Sequence, residues 1–145
     1  MTLPHTLSHS LLAAALLLLP SVAQTTPVPS KTVLASGPLL NLDGQEVGQV
    51  HLEQQDGRVY VQVRGAGRAA GANLELLVSA SSRALRAGDH GGPGQGAIRI
   101  SSIQRGDVRS LLPATLLPSS VRSVWVWCPA VKLPSARALL NRSAQ

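Results

Sequence analysis

The chain has 145 residues, enough for one domain, and 44% of them are hydrophobic. It has no phenylalanine, one tyrosine and two tryptophans, so any core must be built from Leu, Val and Ala with a few large aromatics. The formal net charge is +6, but the arginines are scattered singly from Arg58 to Arg142, with no basic run, helical stripe or aromatic interleaving. That pattern reads as solvated surface and argues against a nucleic-acid partner.

The N-terminus reads as a targeting segment. Leu11 to Leu19 is a Leu/Ala run of the length of a secretory h-region and too short to span a bilayer. Ser21-Val22-Ala23 puts small residues at −3 and −1 of a cut before Gln24, although Met1 to Ser10 carries no Lys or Arg. No cysteine follows the apolar run, which excludes a bacterial lipoprotein anchor. The expected organisation is a signal peptide over 1–23, a flexible Thr/Pro-rich leader over 24–36, a domain over 37–140 and a polar tail over 141–145. The expected product is secreted, periplasmic or extracellular, with no membrane span after signal cleavage.

Within the domain, Pro38 to Leu42 is a short apolar stretch closed by the turn pair Asp43-Gly44. Val47 to Gln54 and Arg58 to Arg64 alternate apolar with polar residues on either side of Asp56-Gly57. Such a D-G pair between alternating runs predicts a hairpin with a type I′ turn. Gly65 to Gly71 is a small-residue loop, and Asn73 to Ser79 is the next expected strand. Gly88 to Gly96 is a glycine-dense loop containing Asp89 and His90, and Ala97 to Ile103 alternates again as a strand.

Val108 to Leu117 leads into Pro118-Ser119-Ser120 and then to Ser123-Val124-Trp125-Val126-Trp127-Cys128, stopped by Pro129. This segment holds both tryptophans and the only cysteine. Its β-branched and aromatic residues favour a strand, and the lack of a polar face predicts cover on both sides. Alternation puts Val124, Val126 and Cys128 on one face and Ser123, Trp125 and Trp127 on the other. If the valine face is core, Cys128 fills volume and the tryptophans form a platform able to stack on a flat ligand. If the tryptophan face is core, the thiol sits at the wetter end of the strand. A last strand is expected over Ala136 to Leu140. Seven or so short strands with frequent turns predict an all-β fold: a single antiparallel β-sandwich or barrel-like domain.

Candidate chemistry is sparse. His51, His90 and Cys128 have no metal-ligand spacing, so no metal site is expected, and neither histidine is spaced as a base for the thiol. No Walker-type phosphate loop is present, and no C-x-x-C-H motif for covalent haem. A lone cysteine in an oxidising compartment is a free thiol, half of an intermolecular disulfide, or a ligand. A thiolate can serve as an axial ligand to non-covalent haem, although nothing in the spacing demands it, and no cofactor is assigned.

Arg122-Ser123-Val124-Trp125-Val126-Trp127-Cys128, followed by Ala136-Arg137-Ala138-Leu139-Leu140, resembles the C-terminal signature of the DM-thirteen domain. That is the Skeletor-type extracellular domain, often DOMON-associated. Leu42 to Val50, Gly71 to Ser79, Ile103 to Asp107 and Leu117 to Val121 resemble further pieces in the family's order, so the similarity covers about residues 37–140. The resemblance implies a β-rich extracellular module proposed for electron transfer or redox modification, with Cys128 as redox thiol or cofactor ligand and Trp127 and Trp125 in support. The chain departs from the family's pattern at Pro129, at Ala72-Asn73, and in lacking the last strand's phenylalanines. On this reading the protein is not an enzyme on its own, and its partner is an unidentified extracellular redox or surface protein. The alternative is a non-catalytic adhesion or ligand-binding module in which Cys128 is core.

Overall fold

The computed structural model describes residues 30–66, 73–83, 91–104 and 106–143. The proposed signal segment, the leader as far as residue 29, and the Asp89-His90 pair lie outside the described residues. Among the described residues nine strands follow in chain order: β1 (Lys31–Asn41), β2 (Glu46–Gln55), β3 (Arg58–Arg64), β4 (Leu74–Ser79), β5 (Ile98–Ile103), β6 (Val108–Leu111), β7 (Ser123–Cys128), β8 (Leu133–Leu139) and β9 (Asn141–Arg142). One 3₁₀ turn, Pro118–Ser120, precedes β7.

The strands form one antiparallel sheet in the order β5-β4-β7-β8-β1-β2-β3-β6, with β9 paired to β1. The sheet curls until its two ends meet, giving a nearly closed barrel. At the junction there is a side-chain bond in place of a ladder: Ser110 Oγ on β6 donates to Ser101 Oγ on β5 at 2.6 Å. The all-β expectation therefore holds, in its barrel form.

Local chemistry explains the best-read element. Asp56 and Gly57 both have positive φ, 51° and 72°, as a two-residue I′ turn requires. β2 and β3 then pair in register from Gln55↔Arg58 to Gln49↔Arg64. This places Val50 and Leu52 beside Val63 and Val61, all four fully buried. The barrel interior is aliphatic, as a chain without phenylalanine dictates. Leu39, Leu76, Val78, Val124, Val126, Ala136 and Ala138 complete its middle. Each buried Val or Leu contributes roughly 1.5–3 kcal/mol of burial.

Several boundaries differ from the sequence reading. β1 begins at Lys31, inside the stretch assigned to the leader, because the ladder to β2 runs back to Lys31↔Gln55. Val108–Leu111, read only as a lead-in, pairs with β3 as β6. β8 runs through Pro134, at which the sequence reading breaks off. The proline sits at a register shift opposite Trp127, outside the two residues that β1 pairs, so no ladder bond needs its missing N–H. The expected polar tail begins with β9, where Ala35↔Arg142 and Ser36↔Asn141 pair. The step from β8 to β9 presses its backbone on β1 at Gly37: an added Cβ there would lie 2.0 Å from the Leu139 carbonyl oxygen.

Candidate functional site

β7 lies between β4 and β8, paired from Glu75↔Trp127 to Ser79↔Ser123 on one side and from Ser123↔Leu139 to Cys128↔Leu133 on the other. Two ladders fix the strand, and the strand's period fixes its faces. Val124 and Val126 point inward and are fully buried. Cys128 follows them on the same face, but at the last position of the strand. Its side chain touches the aliphatic core while the residue stays half-buried, and it is a free thiol. The next residues, Pro129 to Lys132, turn in the open. The two sequence alternatives therefore combine: the valine face is core, yet the thiol reaches the barrel rim.

The tryptophans do not form an open platform. Trp125 is 2% exposed although it faces away from the aliphatic interior. Chain leaving β4 and chain returning toward β5 lie over this outer face. Trp125 Nε1 donates to Ser123 Oγ at 3.0 Å, and that hydroxyl donates to the Ser81 carbonyl at 2.8 Å. Ser79 Oγ donates to the Pro93 carbonyl at 3.0 Å, pinning the returning strand of loop. Gly92 crosses the Trp127 ring so closely that an added Cβ would stand 3.4 Å from it. Trp127 remains half-buried, and it immediately precedes Cys128 in sequence. The lack of a polar face in the sequence predicts cover on both sides of this strand but not what supplies it, because the covering segment is glycine-rich and carries no strand pattern.

His51 does not join the cysteine. His51 lies on β2, three strands along the sheet from β7, and on the outer face. Among the described residues no three His, Cys, Asp or Glu side chains gather as a metal site would require. A haem bound through Cys128 would need a slot beside its sulfur. Among the described residues, two cavities of several hundred Å³ are lined respectively by Gln54, Val59 and Leu112 with their neighbours and by Ser102, Gln104, Asp107 and Val108; Cys128 lines neither. Neither of these cavities offers one, and no step is derived through a haem.

One cluster escaped the sequence reading. Glu53 on β2 reads as a solvent-facing member of an alternating strand, yet its side chain is 1% exposed. Lys31 Nζ sits 2.8 Å from its Oε1, His51 Nδ1 3.7 Å from the same oxygen, and Arg109 Nε 4.0 Å from Oε2. Arg109 stacks on Tyr60 at 3.6 Å from the ring centroid and donates to Gln55 Oε1 at 2.8 Å. The cluster knits β1, β2, β3 and β6 on their outer side. Its partners come from strands far apart in the chain, so no local motif announces it.

Comparison with protein-family models, curated proteins and solved structures yields no match to this chain. Among the described residues no helix is long and apolar enough to cross a membrane.

Proposed function

We propose that the chain is an exported β-barrel module of the DM-thirteen electron-transfer type, and that Cys128 is its redox thiol. One observation carries the reading: the unpaired sulfur stands at the rim of the core, half-buried, where a strand gives way to an exposed turn. A thiol buried among aliphatic carbons would be inert filling; one at a strand end can meet another molecule. The likeness of residues 122–128 to the family's signature supports the same position. Trp127 precedes it on the outer face of the strand and is half-buried. Trp125, anchored through Ser123, holds the strand from behind.

With a single cysteine in the chain, the exchange must be intermolecular. Cys128 gives its proton to solvent, and the thiolate attacks one sulfur of a partner's disulfide. That S–S bond breaks, a mixed disulfide forms, and the partner's second sulfur leaves as a thiolate. A second thiol from the partner or from a small thiol then restores Cys128 by the same chemistry.

The test is incubation of the folded protein with oxidised glutathione, read by intact mass. A single glutathione adduct, removed by dithiothreitol and absent from Cys128→Ser with the fold retained by circular dichroism, is expected. No adduct on the native protein under conditions that modify the unfolded chain would refute the role. N-terminal sequencing of the exported protein should begin at Gln24, and Met1 at the N-terminus would overturn the localisation.

A further inference from the structure

The interior rows of β2 and β3 end at an opening. Along β2 the inward positions run Val50, Leu52 and then Gln54; along β3 they run Val63, Val61 and then Val59. The first pairs are fully buried, but Gln54 is exposed and Val59 only half-buried. Leu112, just beyond β6, closes the same end and is held by its N–H donating to the Val59 carbonyl at 2.8 Å. Beyond these residues lies a cavity of about 470 Å³, walled on its far side by Pro113, Ala114 and Leu116. Leu116 itself packs against the core. The cavity is therefore the mouth of the barrel, roofed by the connection between β6 and β7. Barrel mouths of about 300–1,000 Å³ are a recurrent place for small ligands.

Its lining fixes the ligand class. Val59, Leu111, Leu112 and Leu116 present aliphatic surface, and Leu111 leaves half of its own surface exposed. Among the described residues, Arg58 is the one ionised side chain in the wall and no carboxylate lines it. A guanidinium at an apolar mouth matches a carboxylate by a two-pronged contact. We propose that the barrel mouth binds a free, single-chain amphiphile with a carboxylate head, the head on Arg58 and the tail between Val59, Leu112 and Leu116. The site shares no residue with Cys128 and stands or falls separately from the redox reading.

The experiment is calorimetric titration of the mature protein with monomeric decanoate, and with decanol as the uncharged control. One-to-one decanoate binding, at least about tenfold tighter than decanol, is expected from a charge-assisted contact. Arg58→Gln should erase that preference and leave decanol binding unchanged. Ala114→Trp, at an exposed turn position outside the core cluster, should plug the mouth and abolish both while the circular dichroism spectrum is retained. Failure of the folded protein to bind decanoate would overturn the proposal. So would binding that survives Ala114→Trp, or a charge preference that survives Arg58→Gln.

Discussion

Val126 and Cys128 stand two residues apart on the same face of β7 and differ in what surrounds them. Val126 has no exposure, whereas Cys128 ends the strand at the rim. Truncation should report that difference. Val126→Ala opens a void that the neighbouring strands cannot close and should cost about 2–3 kcal/mol. Cys128→Ala should cost less than about 1 kcal/mol, because water can fill the space at the exposed turn that follows. Urea unfolding of the two variants gives the comparison, and equal losses would mean that the cysteine is core filling. Glu53 makes a second residue-scale case. Lys31 is 43% exposed and can return to water, but Glu53 cannot. Lys31→Met, which leaves the buried carboxylate without its 2.8 Å partner, should therefore cost about 1–3 kcal/mol, and Glu53→Gln should cost less. The reverse order in urea midpoints would show that the carboxylate is better supported by Arg109 and His51 than the distances indicate.

At the scale of elements, the barrel depends on close backbone contact where β1 meets the β8–β9 step. Gly37 faces the Leu139 carbonyl with no room for a methyl group. Gly37→Ala should therefore destabilise the fold by more than about 2 kcal/mol through displaced backbone. At Gly44, where a Cβ would meet nothing within 4 Å, only the positive φ opposes alanine, and the loss should be nearer 1 kcal/mol. Thermal unfolding of the pair separates packing from turn strain. This contact was not legible in the sequence, since a glycine inside a strand does not say which backbone approaches it. The β2–β3 hairpin was legible, because its alternation and turn are both local. Only the second half of β1 is legible in the sequence: Lys31 and Thr32 have no apolar pattern of their own and are strand because β2 pairs with them. β8 and β9 were blurred for a similar reason. Pro134 reads as a stop, but the register shift beside Trp127 gives it a place where no N–H is needed.

At the scale of the whole molecule, the sheet path determines where the barrel is weakest. β7, β8 and β1 have ladders on both sides, whereas β5 and β6 each have one and meet through Ser101 and Ser110. Amides of β5 and β6 should exchange with deuterium at least about tenfold faster than those of β7, and Ser110→Ala should widen the gap. Uniform protection would mean that the seam is closed by more than that hydroxyl pair. The fold class was readable because many short alternating runs between turns admit few architectures. Barrel closure was not, since it rests on two serines unremarkable in sequence. The candidate thiol was readable as a residue, being the only cysteine, while its position at the rim depends on where β7 stops and which face turns inward.

Accessibility of that sulfur in the folded state is the quantity on which the redox reading rests. The direct measurement is the rate at which an aromatic disulfide reagent labels Cys128 in the native protein, set beside the rate in denaturant. Stoichiometric labelling of the native protein, with a rate that does not track the fraction unfolded, is the expected result. Labelling that occurs only as the barrel unfolds would contradict it.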